Sequence, residues 1–461
     1  MGFGATALEG GLGQVNRRIV IGELTAQESE GQICHIVGRL VQLSPATLTL
    51  EDMTDRRTFG FRNDNPDLAR VRIGDLLELK LEFHHKAWRA IETQVLSPCL
   101  LTEQDQRRWM QRWFLHSNRL RKNLHNRDRI TRTVREYFHQ ENFLEVQTPT
   151  LVPCPGMEPH LEGFQTVWEG PNHLWKKTLF LPTSPEFHLK KLLSLGYEKI
   201  FEFSKSFRNG ELSGHHQPEF TMLEWYRAYE SYERLMEDIE NLVFQAAMSI
   251  PKNGMGKAGV LHLNGKDISL APPWKRLSIR QLFLDVFRVD LDKLQDGPDL
   301  ARAARFQGFT YVSENESFED TFFRLLLTEV EPKLGWDRPV ILYDYPVELA
   351  ALSRRKPQNK RYCERFEVYI AGTELANAFG ELTNPNEQAR RFSEFTELAM
   401  KERGYHYEVD GEFMDALKFG LPPSTGIALG FDRLVMLLCG ENSLDAVMAF
   451  PHQAPITGNG K

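Results

Sequence analysis

No apolar run in the 461 residues approaches the roughly 18 that a membrane-spanning helix needs. The N-terminus lacks the basic and apolar blocks of a secretory signal, so the expected compartment is cytoplasmic. Met1-Gly2 followed by Thr6 meets only a loose myristoylation pattern, too short to carry weight. Five cysteines (Cys34, Cys99, Cys154, Cys363, Cys439) lie far apart without a CxxC pair. That argues against a zinc ribbon or a disulfide framework and suits buried thiols in a reducing compartment. Neither GxxxxGK[ST] nor GxGxxG occurs, so any ATP site must be of another kind. Regular βαβ alternation is also missing. A net charge of −7 excludes a protein that is basic all over, but leaves a local nucleic-acid surface open.

The hydrophobic content of 41% and charged content of 26% are those of a globular protein, and the length allows two or three domains. Residues 1–22, with Gly2, Gly4, Gly10, Gly11, Gly13 and Gly22, read as a flexible leader. From 23 to 100 the pattern is short strands. The clearest alternates Leu77, Leu79, Leu81 and Phe83 with Glu78, Lys80 and Glu82; others are expected at 33–43, 47–51, 57–62 and 89–96. Five short strands in so few residues predict a small barrel of the OB type. Residues 101–125 read as a basic linker. Between 101 and 130, eight arginines and lysines face three acids, with Trp109, Trp113 and Phe114 interleaved. An RNA-contacting segment and an amphipathic helix with a solvated basic face both fit. A large domain follows over 126–461, entered by a helix with Ile130, Val134, Tyr137 and Phe138 at helical spacing.

Four clusters in that domain carry chemistry. Thr183-Ser184-Pro185-Glu186 opens a predicted helix with Ser184 as its N-cap and Gly196 at its end. Lys199–Arg208 and Glu219–Tyr226 read as strands; paired antiparallel, they present Arg208, Phe220, Glu224 and Tyr226 to one surface. An arginine, a stackable ring and an acid suit a nucleotide beside a cationic substrate. Next come Arg365-Phe366-Glu367, a turn at Ala371-Gly372, and Glu374 to Leu382. Asn377, Phe379 and Glu381 share a face, whereas Glu374 has the opposite parity, so that a bulge or a different role is expected for it. Carboxylates beside a phosphate site are natural Mg²⁺ ligands, although a solvated acidic hairpin has the same pattern. Finally, Gly426 to Arg433 runs into Leu434, Leu437 and Leu438 at helical spacing, with Arg433 in the first turn.

Taken together, these segments resemble the three motifs of class II aminoacyl-tRNA synthetases. The first ends at Pro149; the second runs from Phe207-Arg208-Asn209 through His216-Gln217-Pro218-Glu219-Phe220-Thr221; the third is Gly430-Phe431-Asp432-Arg433-Leu434. Ser184-Pro185-Glu186, Met222-Leu223-Glu224-Trp225-Tyr226 and Arg365-Phe366-Glu367 indicate the lysyl subgroup. Within it the chain resembles the elongation factor P–(R)-β-lysine ligases, on Pro155 to Leu161, Glu374-Leu375-Ala376-Asn377 and Ala428. Lysyl-tRNA synthetases tend to carry glycine in place of Ala376 and Ala428. The resemblance implies an α+β fold: an antiparallel sheet flanked by helices, here preceded by the OB-like barrel. It also implies ATP as co-substrate, Mg²⁺, a homodimer, and lysine or (R)-β-lysine as the acid that is adenylated.

The roles implied by the resemblance follow residue by residue. Arg208 and Arg433 are the catalytic pair. Ser184, Pro185, Glu186, Glu224, Tyr226, Asn377, Phe379, Glu381 and Ala428 bind the amino acid. Arg208, Asn209, Gly210, Glu211, His216, Gln217, Phe220, Glu374, Leu375, Gly430 and Arg433 bind ATP, with adenine between Phe220 and Arg433. Glu367 and Glu374 hold Mg²⁺. One departure is Gly210, where the family carries a glutamate that contacts adenine; either Glu211 takes over or ATP binds more weakly. The other is the barrel, which the best-known ligases lack and which lysyl-tRNA synthetases use to bind the anticodon. Phe59, Phe61, Phe83 and Trp88 are its candidate stacking rings or its core. Elongation factor P is therefore the first expected acceptor and tRNA the second. A third reading is a catalytically weak paralogue acting as a binding or regulatory module, supported by Gly210.

Overall fold

The computed structural model describes residues 18–25, 28–61, 70–106, 109, 117–158, 160–251, 259–294 and 297–453. Most of the expected leader, the end of the expected strand at Arg62, and Arg107, Arg108, Arg112, Trp113 and Phe114 of the basic segment lie outside the described residues. The chain forms two compact units, Met1–Arg121 and Lys122–Lys461.

In the first unit, β1 (Ile33–Leu43), β2 (Thr47–Glu51), β3 (Arg56–Phe61), β4 (Leu76–His84) and β5 (Ala87–Ser97) close a barrel in the order β1-β2-β3-β5-β4. A bulge between Leu40 and Gln42 bends β1, as closure of so small a sheet requires. Strict alternation along β4 sends Leu77, Leu79, Leu81 and Phe83 inside. Phe59, Phe83 and Trp88 are buried in the barrel core and Phe61 packs on it, so core packing accounts for these rings.

The second unit is built on an eight-stranded sheet. Its strands are β6 (Leu144–Glu145), β9 (Lys199–Phe207), β10 (Glu219–Ala228), β13 (Lys275–Ser278), β14 (Val340–Pro346), β15 (Tyr362–Ile370), β16 (Thr373–Gly380) and β17 (Ser424–Gly430), in the order β13-β14-β15-β16-β17-β10-β9-β6. Two small ribbons lie apart from it: β7 (Gln165–Glu169) with β8 (Lys176–Phe180), and β11 (Val260–Leu263) with β12 (Lys266–Ser269). The six central strands are antiparallel, as expected. The edge pairs β13–β14 and β6–β9 are parallel, because long helical crossovers separate those strands in the chain.

Helix α1 (Ser117–Gln140) leads in, with Ile130, Val134, Tyr137 and Phe138 buried, and α2 (Glu186–Ser194), α3 (Tyr232–Met248) and α4 (Phe431–Leu438) follow. Along β10, Leu223 and Trp225 face the main core with α3 and α4, while Glu224 and Tyr226 point to the other side. A buried Asp238 on α3 accepts from Arg227 at 2.6 Å and from Tyr137 at 3.0 Å, tying α1 and α3 to β10. Among the described residues no helix is long and apolar enough to cross a membrane.

Candidate active site

The open face of β10, β16 and β17 floors a cavity of about 350 Å³ in the second unit. Antiparallel register explains how distant sequence segments meet there. Glu224 stands opposite Ala428, and Asn377 stands opposite Ala428 on the other side, so the Ala428 methyl lies between two polar wall residues. Gly426 stands opposite Tyr226; a Cβ there would run into the Tyr226 ring and the Glu381 carboxylate, so only glycine permits this approach. Of the two alternatives for Glu374, a bulge or a different role, β16 has the bulge. Val368 pairs with Ala376 but Tyr369 pairs with Glu374, leaving Leu375 as the extra residue. The shift restores Glu374 to the face of Asn377, Phe379 and Glu381, and all four line the cavity.

One end of the cavity is acidic. Ser184 Oγ donates to Glu224 Oε1 at 2.5 Å, and Tyr226 Oη donates to Glu224 Oε2 at 3.1 Å. Burial, then the neighbouring Glu186 charge, pushes the Glu224 carboxyl up to about 8. Glu381 is pushed up to about 7, burial outweighing the Lys190 charge that opposes it. The Lys190 ammonium pairs with Glu186 and, at 2.5 Å, with Glu381. Burial alone would lower the Lys190 pKa, but Glu186 and Glu381 outweigh it and raise it. Glu158 is raised by burial, partly countered by Arg208.

Arg208 separates this end from the other, its guanidinium 5.2 Å from the centre of the Phe220 ring. Its Nε is buried without a partner among the described residues, and so is Asn377 Oδ1. Buried polar atoms left this way are ready to bind a polar ligand. At the far end Arg433 donates to the backbone carbonyls of Glu374 at 2.8 Å and His215 at 3.2 Å, and lies 2.7 Å from His216 Nε2. Burial and the Arg433 charge lower the His216 pKa. Gln217 clasps the His452 backbone, accepting from its N–H at 2.9 Å.

Carboxylates also meet here. Glu367 accepts from Arg365 and Tyr345 at 2.6 Å each and from Tyr369 at 2.7 Å. Glu374 is pushed up to about 7 by burial and then by Glu367. Among the described residues no side chain donates a hydrogen bond to the Glu374 carboxylate.

Of the residues singled out in the sequence, Ser184, Glu186, Arg208, Glu211, His216, Gln217, Phe220, Glu224 and Tyr226 line this cavity. So do Glu367, Glu374, Leu375, Asn377, Phe379, Glu381, Ala428, Gly430 and Arg433. Pro185, Asn209 and Gly210 do not. Pro185, rather than Ser184, occupies the cap position of α2, although the Ser184 hydroxyl accepts from the Glu186 N–H at 3.1 Å. Asn209 instead donates to Glu162 at 2.9 Å. Gly210 turns the chain with φ +80°, and the next residue, Glu211, reaches the cavity wall. The sequence reading missed Lys190, although its i,i+4 spacing from Glu186 was a visible signal. It also gave no site role to Glu158 or Arg365, although both stand in stretches that carry the resemblance, nor to Glu331, which lies outside them.

A family model for class II tRNA synthetases (D, K and N) matches residues 104–454. The elongation factor P–(R)-β-lysine ligase of Yersinia enterocolitica is 39% identical over 331 residues, which cover 71% of this chain and 94% of that protein. That of Vibrio atlanticus is 37% identical over 332 residues, 72% of this chain and 95% of the relative. The Salmonella typhi ligase is 37% identical over 330 residues, with 71% and 94% covered. The chain belongs to the elongation factor P–(R)-β-lysine ligase family, within the class II tRNA synthetases. It is accordingly an ATP-dependent ligase. These three relatives are almost wholly matched while more than a quarter of this chain is not, and the barrel strands precede the segment that the family model matches.

Proposed function

We propose that this ligase adenylates (R)-β-lysine, or lysine, and passes the acyl group to a lysine of elongation factor P. The observation that carries the reading is the shape of the charge in the cavity. Glu186, Glu224 and Glu381 gather at one end and Arg208 stands nearer the nucleotide end. That polarity suits an amino acid with its ammonium groups buried among acids and its carboxylate held by the arginine.

In the proposed reaction the substrate carboxylate oxygen attacks the α-phosphorus of ATP. The bond to the bridging oxygen breaks and pyrophosphate leaves. Arg208 binds both the carboxylate and the α-phosphate, and its fixed charge offsets what builds up in the transition state. Phe220 and Arg433 flank adenine, and the two carbonyls on Arg433 keep its guanidinium plane fixed. The neutral amine of an acceptor lysine then attacks the acyl carbon, expelling AMP and losing a proton. No side-chain nucleophile of the ligase itself takes part.

Glu374 and Glu367 are the residues that would hold Mg²⁺. The Glu374 oxygens are open to it, and Glu367, with Oε2 taken by two tyrosines, keeps a lone pair on Oε1 beside the Arg365 bond. All-oxygen donors fit a hard cation, which when bound supplies positive charge to the phosphates. The assembly is proposed to be a cytoplasmic homodimer formed around the first motif.

The barrel is the observation that favours tRNA as acceptor. Against that, Phe59, Phe83 and Trp88 are committed to its core. The test of activation is pyrophosphate exchange with lysine, with (R)-β-lysine and without amino acid. Exchange that depends on either amino acid is expected; its absence with both would favour a binding module.

A further inference from the structure

Lys190 is among the most deeply buried charged side chains in the second unit, 1% exposed, and the motifs give it no role. It sits on α2 one turn beyond Glu186, among Phe187, Leu189 and Leu193. Its ammonium touches Glu186 Oε1 and lies 2.5 Å from Glu381 Oε2. Both acids line the cavity but Lys190 does not, so it reaches them from behind the wall. It donates to one oxygen of Glu186 and stands in ion-pair contact with one oxygen of Glu381.

Charge counting gives this arrangement a consequence. The acidic end presents Glu186, Glu224 and Glu381, and one fixed cation stands behind them. Lys190 balances one of the two charges of the Glu186 and Glu381 pair, so that pair offers one net negative charge to a second ammonium group, while the carboxylate of the amino acid goes to Arg208. A neutral side chain would leave a buried carboxylate unmatched, which is strongly unfavourable in such surroundings.

We propose that Lys190 is a positioning and specificity residue: it fixes Glu186 and Glu381 side by side and leaves that pair one net negative charge, selecting an amino acid with a second ammonium group to meet it. The inference rests on the proposed activation of lysine or (R)-β-lysine. A purely structural ion pair would tie α2 to the residue after β16 without affecting amino-acid affinity in particular.

The test is pyrophosphate exchange by the full chain with lysine and (R)-β-lysine, for the wild type, Lys190→Met and Lys190→Arg. Lys190→Met keeps the length and removes the charge. It is expected to raise KM for the amino acid about thirtyfold, with kcat and KM for ATP each within about threefold. Methylammonium in the assay is expected to recover about tenfold of that loss by supplying the missing cation to the vacated site. Lys190→Arg is expected to stay within about fivefold of the wild type. An unchanged amino-acid KM in Lys190→Met overturns the proposal. So does a loss spread equally over kcat, ATP and amino acid that methylammonium leaves untouched. If Lys190→Met does not fold, Lys190→Arg decides: retained amino-acid KM supports the charge role, and a large rise in ATP KM alone contradicts it. A wild type silent with both amino acids removes the functional reading itself and this inference with it.

Discussion

Ser184 Oγ lies 2.5 Å from Glu224 Oε1 and donates to it, yet the Glu224 carboxyl is held up to about 8. Burial and the Glu186 charge outweigh the help of one hydroxyl and one phenol. Burial therefore favours the protonated carboxyl near neutral pH, and the group must lose its proton to meet an ammonium group.

A pH dependence follows, with a definite sign. Glu224 binds a proton more tightly in the folded chain than its ordinary value of 4.5 allows in the unfolded one. Its contribution to the stability of the fold is present at low pH and is lost as pH rises from about 4.5 through about 8. Amino-acid binding shows the opposite trend. KM for lysine or (R)-β-lysine should fall as pH rises from about 6 to about 8, approaching tenfold per unit. Calorimetry in buffers of different ionisation enthalpy should detect proton release on binding near pH 7. A flat KM with no proton release would contradict the buried-acid assignment.

Arg208 should be indispensable for activation and dispensable for folding. Its guanidinium rests over Phe220 and its Nε has no protein partner among the described residues. Arg208→Ala is expected to lower pyrophosphate exchange by about a thousandfold or more while shifting the thermal midpoint little. Substantial exchange by a folded Arg208→Ala protein would refute its role.

The turn at Gly210 predicts an asymmetry between two neighbours. Glu211 reaches the cavity wall, so Glu211→Ala should raise KM for ATP about tenfold. Gly210→Glu restores the family residue but meets a backbone at φ +80°, where a side chain costs about 1 kcal/mol. It should lower stability without improving ATP binding, as thermal shift and ATP titration would reveal. A clear gain in ATP affinity would mean that Glu211 is not the substitute.

Ala428 lies between Glu224 and Asn377 in the register of β17, where a methyl decides how far a chain of carbons can enter. Ala428→Gly should shift the kcat/KM ratio toward α-lysine over (R)-β-lysine by about tenfold, the usual worth of one methyl in a pocket. An unchanged ratio would place the discrimination elsewhere.

Much of this was legible in the sequence because its cause is local. Period-two patterning around Leu77 to Phe83 marks a half-buried strand, and parity narrows Glu374 to a different role or the bulge that Leu375 makes beside it. The helical spacing of Ile130 to Phe138 is equally direct. What escaped depends on distance in the fold. Lys190 gains meaning only when β16 carries Glu381 to it, nearly two hundred residues onward. Glu158 and Glu331 enter the cavity from segments without a periodic signature. Asn209 and Gly210 belong to the second motif yet fall outside the lining, because the turn at φ +80° directs the following side chain inward instead. The parallel edges of the sheet arise from crossovers whose length, not pattern, determines direction.

Removal of the barrel is less informative than a direct choice of acceptor, since both candidates use the same adenylate. The decisive measurement incubates the full chain with ATP, Mg²⁺ and labelled (R)-β-lysine or lysine, in the presence of both elongation factor P and total tRNA. Label on a lysine of elongation factor P, with tRNA at background, is the predicted result. Labelled tRNA beside unlabelled elongation factor P would contradict it.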